Sequence, residues 1–350
     1  MASSSAQRII RGVTRLPSAG PWPTDDPFLF AVHHDDSFPP GDPETLGPAD
    51  RGALRGRNMG SDFSGDGGWS MYHGEVVPGF PKHPHRGFET VTIARSGLVD
   101  HSDSLGAAGR FGRGDVQWMT AGKGISHSEM FPLLNSEGRN RVEMFQIWLN
   151  LPSKCKMAEP FFTMLWADKI PKLVSGGVEV AVVSGTLPGT TPAKPPPCPP
   201  NSWAAQAGSA VSIFNIKLGP GSAWTLPASQ PGLKRSIYFF VGRTVVVAGK
   251  SVSTYSKIEL DSAADVQLEN SESRGDVELL LLEAKPINEP VVQHGPFVMN
   301  TRQEIMQAFQ DYQATEFGRW PHQSSDPVHQ KDRPRFAHYP DGRDDFPTEE

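Results

Sequence analysis

The stretch Gly114–Met130, GDVQWMTAGKGISHSEM, carries both the fold and the chemistry of this chain. Val116 to Met119 is a short β-branched and aromatic run, Gly122 and Gly124 make a turn, and the chain resumes with His127 and Glu129 two residues apart. In an extended segment residues i and i+2 point to one face, so an imidazole and a carboxylate are presented together. About forty residues upstream, Phe80–Glu89, FPKHPHRGFE, does the same with His83 and His85, and Pro84 holds the residue before it extended. Should the two segments be neighbouring strands of one barrel, three imidazoles and one carboxylate converge on a point. A nitrogen and oxygen set without thiolate suits a first-row divalent metal such as iron(II), manganese, cobalt or nickel. It leaves two octahedral positions for water, substrate or O2. Glu89 shares the odd parity of His83 and His85 and is the alternative carboxylate. Glu129 ranks ahead of it because it lies beside His127 and requires no further strand continuity, which leaves Glu89 a supporting position. His73 and His101 fit hydrogen-bonded or solvated roles better than ligation. Phe80, Phe88, Trp118 and Met119 are candidates for an apolar wall, although core packing explains each of them as well.

Outward from this pair of motifs, the chain reads as short β-branched and aromatic runs cut by Gly and Pro. They are Thr90–Ala94, Val116–Met119, Glu143–Leu149, Val178–Val183, Ser212–Leu218, Ser236–Val241, Arg243–Ala248, Val266–Glu269 and Val277–Leu282. Runs of this length with turn signals between them predict an all-β sandwich or barrel, with the jelly roll as the natural candidate. Glycine (35) and proline (33) supply the turns and follow no fixed period, which excludes collagen. At 350 residues the chain is long enough for two domains. Between His127 and His294 there is no histidine, so the metal chemistry belongs to the N-terminal half.

The formal charge of −6 supplies no positive field for phosphate backbones or anionic lipid, which disfavours direct nucleic-acid binding. The longest apolar runs fall far short of the ~20 residues of a membrane helix, so no membrane span is expected. Two cysteines, Cys155 and Cys198, make no disulfide framework and fit a reducing compartment, cytoplasmic or nuclear. The first sixteen residues have a faint transit-peptide composition, but Arg8–Leu16 reads better as a first strand.

Residues 25–75, rich in Asp, Gly, Arg and Pro, read as long loops that cover a barrel mouth. A seam is expected at 151–160. A proline-rich insertion occupies 187–203, with a docking role for a proline-binding module less expected than a plain loop. Thr301 and Glu304 form a capping box for a helix over 301–318 that presents Ile305, Phe309 and Tyr312 on one face. The charged, apolar-poor tail 319–350 reads as disordered.

His83-Pro84-His85 with Glu89 four residues on resembles the first motif of the cupin superfamily. More closely, His83–Thr90, Gly114–Gly122, Gly124–Met130 and Gln293–Thr301 (QHGPFVMNT) resemble the pirin family over roughly residues 8–318. The resemblance implies two tandem cupin barrels followed by a C-terminal helix: residues 1–150 as the metal-binding barrel, 151–300 as a metal-free one, and 301–318 as the helix. It places the metal ligands on His83, His85, His127 and Glu129 and makes iron the expected metal. It further implies either a dioxygenase of the quercetin 2,3-dioxygenase type, acting on a small phenol with O2 and with Glu129 as the base, or a metal-bearing co-regulator that binds a protein partner. A cupin isomerase or sugar-binding member fits the same ligands.

Overall fold

The computed structural model describes residues 9–18 and 20–348. The chain divides into two compact units: Val32–Asp168 with Glu289–Glu350, hereafter the first barrel, and Met1–Ala31 with Lys169–Asn288, the second.

The first barrel is made of two sheets. One has the order β10 (Phe161–Leu165), β7 (Asp115–Thr120), β4 (Phe88–Ser96), β9 (Asn140–Asn150) and β2 (Phe28–Phe38). The other runs β24 (Asp344–Asp345), β23 (Phe336–His338), β6 (Ala108–Gly112), β5 (Leu98–Asp103), β8 (Ile125–Met130) and β3 (Gly79–His85). Thr92 and Gln146 of the first sheet donate to Glu129 of the second, so the two sheets face each other across the interior. A hairpin of β21 (Val292–His294) and β22 (Phe297–Met299) precedes the helix α1 (Arg302–Thr315). The capping box is present: the Thr301 hydroxyl accepts from the Glu304 amide, and the Glu304 carboxylate accepts from the Thr301 amide. Ile305 and Ala308 bury their side chains against Phe297 and Met299, and Phe309, 36% exposed, packs edge-on against Phe297 at 4.9 Å.

In the second barrel a seven-stranded sheet has the order β1 (Ile10–Arg15), β18 (Ser256–Leu260), β15 (Lys234–Val241), β20 (Val277–Ala284), β13 (Ser212–Leu218), β12 (Val178–Ser184) and β11 (Lys172–Ser175). A four-stranded sheet of β14 (Ala223–Leu226), β19 (Val266–Glu269), β16 (Thr244–Val247) and β17 (Lys250–Ser253) shares its core. Alternate residues fill the interior as the two-residue period of a strand requires: Val180 and Val182, Phe214 and Ile216, Ile237 and Phe239, Leu279 and Leu281 meet Val245, Val247, Val266 and Leu268.

All nine strand runs expected from the sequence are strands, and several expectations change. Residues 25–75 are not loops throughout, because Phe28–Phe38 is an eleven-residue strand. Its central His33, His34, Asp35 and Asp36 disguise the alternation, and they are held by Glu143, Tyr72, Arg141 and Ser70 respectively. The seam does not fall at 151–160, because β10 pairs with β7 and keeps Phe161–Leu165 in the first barrel; the chain changes unit at 31/32, at 168/169 and at 288/289. The two units are therefore not residues 1–150 and 151–300. The tail is ordered over 319–348 and belongs to the first barrel. Arg110, paired with Asp100 at 2.7 and 2.8 Å, donates to the carbonyls of His329, Gln330 and Arg333 at 2.8–3.0 Å. β23 adds to the edge of β6, and the Lys82 amide at the β3 edge donates to the Ser325 carbonyl. Main-chain hydrogen bonding carries no compositional signal, and the few apolar side chains the tail buries, Phe336, Ala337 and Tyr339, are too sparse to reveal it. In the second barrel, the insertion 187–203 is anchored by buried Leu187 and by the bridge of Thr191 to Lys172. Of the proposed first strand Arg8–Leu16, β1 covers Ile10–Arg15; Arg8 and the residues before it lie outside the described residues.

Candidate metal centre

The two histidine motifs are neighbouring antiparallel strands. β3 pairs with β8 with His83 opposite His127 and His85 opposite Ile125, after a bulge between Phe80 and His83. The bulge shifts the register so that both histidines of β3 reach the interior face that His127 and Glu129 share. One donor atom from each of His83, His85 and His127 lies within 4.8 Å of the others. The rings pack closely, with His83 and His127 centroids 4.4 Å apart and His85 and His127 4.9 Å apart.

Glycines at the ends of these strands allow neighbouring backbone to approach closely. Gly87 turns β3 into β4 at φ +87°, and a Cβ there would sit 2.0 Å from the Val298 carbonyl oxygen. Gly122, in the turn before β8, has φ +50°, and a Cβ would sit 2.1 Å from the Ala158 carbonyl oxygen. Only glycine meets both demands at once.

Glu129 is fully buried beside the imidazoles, its Oε2 3.9 Å from His127 Nε2. The Thr92 hydroxyl donates to Oε1 at 3.1 Å and the Gln146 amide donates to Oε2 at 2.7 Å. Burial nevertheless raises the Glu129 pKa above the ordinary carboxylate value. Burial pushes the imidazoles the other way: His83 falls to about 4, and His85 and His127 lie well below 6.5. At neutral pH all three are uncharged, the form that offers a lone pair. His83 Nδ1 donates to the Pro81 carbonyl at 2.8 Å, which leaves Nε2 as its lone-pair nitrogen.

These residues fit a divalent cation. Among the described residues, both ring nitrogens of His127 are buried without a hydrogen-bond partner, and those of His85 make no bond of ordinary geometry, though the Pro296 carbonyl lies toward them. Buried polar atoms left this way cost about 1–3 kcal/mol each unless something else satisfies them. Donors about 2.1 Å from one ion sit no more than about 4.2 Å apart, so small side-chain adjustments close the 4.8 Å cluster.

Glu89 is elsewhere. The Gly87 turn breaks the parity that linked it to His83 and His85, and Glu89 sits in β4 facing away from Thr90 and Thr92, where it accepts from the Thr120 hydroxyl at 2.6 Å. Of the proposed apolar wall, Phe88 lies 5.0 Å from the His85 ring and Phe80 6.3 Å from that of His83. Met119 pairs with Thr90, whereas Trp118 pairs with Val91 and so points to the opposite face of its sheet. His73 bonds the Gly60 carbonyl. His101 is buried opposite Glu129 on β5, stacked on Phe162 at 5.2 Å and bonded through Nε2 to Asp103 at 3.1 Å. Sequence reasoning missed Thr92, Gln146 and Trp148, whose ring lies 5.2 Å from that of His85. For Thr92 and Gln146 the one available signal was a polar residue at an inward position of an otherwise apolar strand.

Two jelly-roll barrels, one of them holding a buried cluster of histidines that fits a metal, define a bicupin with a candidate metal site. The Pirin family profile matches residues 57–149 and the Pirin C-terminal cupin domain profile matches residues 213–318. A Pirin-like protein of Caulobacter vibrioides is 38% identical over 247 residues, covering 69% of this chain and 82% of that protein. Human Pirin is 36% identical over 244 residues, 69% of this chain and 78% of its own length. The crystal structure of a quercetin 2,3-dioxygenase from Acinetobacter baumannii superposes with a TM-score of 0.68 at 28% identity, covering 88% of this chain and 98% of that one. The chain belongs to the pirin family.

Proposed function

We propose that this protein is a metal-dependent dioxygenase of the quercetin 2,3-dioxygenase type, which opens a flavonol or related phenol with O2, and that His83, His85, His127 and Glu129 hold iron. The observation that carries this reading is the convergence of three neutral imidazoles, those of His85 and His127 buried and that of His83 half-buried, beside one buried carboxylate. The likeness to a quercetin 2,3-dioxygenase structure supports the substrate class.

The bound metal would supply Lewis acidity toward the substrate oxygens and a redox partner for O2. Neutral His83, His85 and His127 add no charge, so Glu129 is the one anionic group of the set. Thr92 and Gln146 hold both its oxygens and fix its orientation. As that anionic group, Glu129 would take the proton of a phenolic hydroxyl at Oε2 and later return it. Phe80, Phe88 and Trp148 flank the imidazoles and offer aromatic faces to a planar ring while excluding water.

An O2-electrode screen of iron-loaded protein against flavonols tests the proposal. Consumption of O2 that disappears in Glu129→Gln is expected. Protein that binds iron normally yet consumes no O2 with any flavonol contradicts it, and favours a role in binding a protein partner.

A further inference from the structure

The second barrel contains no histidine, yet one of its ends is built to receive a ligand. Ser184 closes β12, Ser212 opens β13, Leu226 closes β14, and Arg235 and Glu283 lie one residue inside the ends of β15 and β20. These strand ends surround a cavity of about 380 Å³. That is a size typical of small-molecule sites, and barrel mouths are among their preferred places.

The inward period of two carries the aliphatic interior up to this mouth and then changes its chemistry. Ile237 and Phe239 lead to Arg235, Leu279 and Leu281 lead to Glu283, and Phe214 leads to Ser212. Arg235 and Glu283 are only 4% and 3% exposed. Arg235 Nε donates to Glu283 Oε2, and its Nη2 donates to the Pro227 carbonyl at 3.0 Å. Nη1 reaches the Ala264 carbonyl at 3.5 Å, so each guanidinium nitrogen has a partner. The other carboxylate oxygen, Glu283 Oε1, takes up no donor among the described residues. A desolvated ion pair gives no stability advantage over packed hydrophobic residues, so stability alone does not account for it here.

We propose that this mouth binds a small neutral polyhydroxylated molecule of monosaccharide or cyclitol size. Hydroxyl groups can donate to Glu283 Oε1 and also accept from, or donate to, the serine hydroxyls of the wall. Ser184 donates to the Val211 carbonyl at 3.0 Å and keeps its oxygen lone pairs for a ligand. An anionic ligand would meet the carboxylate of Glu283, a cationic one the guanidinium of Arg235, and an apolar one would leave the hydroxyls of Ser209, Ser212 and Ser229 uncovered.

Saturation-transfer NMR on the full-length, metal-loaded protein tests this, with glucose and myo-inositol as probes and gluconate and choline as charged controls. Transfer to a neutral polyol is expected. Ala204→Trp, which fills the rim without touching the ion pair, should raise Kd at least about tenfold, as should Glu283→Gln, in line with losing a hydrogen bond to a charged group. Metal content should stay unchanged in Ala204→Trp. The proposal is overturned by absence of transfer to both polyols, by equal or stronger transfer to gluconate or choline, or by undiminished binding in Ala204→Trp.

Discussion

Across the five-stranded sheet of the first barrel, Gln117, Thr92 and Gln146 align on three adjacent strands. Across the large sheet of the second, Phe214, Leu281, Ile237 and Ile258 align on four. The same all-β plan thus holds a polar row in one unit and an apolar row in the other. All eleven histidines of the chain fall in 32–168 and 289–350, and the second barrel has none. The polar row is sustained because two of its members close on Glu129, whereas the apolar row requires only packing. One barrel gives up interior hydrophobicity for a candidate site, and the other keeps an apolar interior, with the buried ion pair of Arg235 and Glu283 at one mouth.

The sharpest way to break this contrast is to remove a ligand. His85→Ala is expected to abolish O2 consumption and the rise in Tm that added iron gives the wild type. Ligand at a thousandfold above Kd is worth about 4 kcal/mol, and that increment should vanish. Unchanged iron-induced stabilisation would place the metal elsewhere.

Phe239→Ala probes the opposite barrel. Truncating this fully buried ring should cost about 3–5 kcal/mol in denaturant unfolding with metal content unchanged. Loss of metal in this variant would show that the division of labour is wrong.

Acid should act through the first barrel. Burial lowers His34 and His83 to about 4, against 6.5 in the unfolded chain. Above pH 6.5 both states are neutral and the fold is at full strength. Between 6.5 and 4 the unfolded chain takes up protons that the fold refuses, so stability is lost as pH falls, by about 3 kcal/mol for each of the two groups. Thermal unfolding of metal-stripped protein across this window checks the slope. A flat profile would mean that these imidazoles are solvated.

The smallest effect is the most local. Gln146→Leu removes the donor to Glu129 Oε2 and should weaken metal binding about 10–100-fold without abolishing it. An unchanged affinity, read by competition with a chelator, would show that Gln146 does not orient the carboxylate.

How much of this was legible in the sequence follows from how local each feature is. The strand runs and the two motifs were legible because strand periodicity and i, i+2 spacing act within a few residues. Glu89 misled because parity holds only while a strand continues, and Gly87 at φ +87° ends it. Thr92 and Gln146 come from a sheet facing the motifs, and a threonine or glutamine carries no motif of its own. β2 was hidden by four consecutive polar residues whose partners lie far along the chain. The tail was hidden because Arg110 holds it by its carbonyls, which every residue possesses, and because its buried Phe336, Ala337 and Tyr339 form one short cluster.

Metal analysis of the purified, iron-loaded chain beside His127→Ala tests the central claim most directly. The account predicts one metal ion per wild-type chain and none in a folded His127→Ala variant. Two tightly held ions in the wild type, or full retention in His127→Ala, would contradict it.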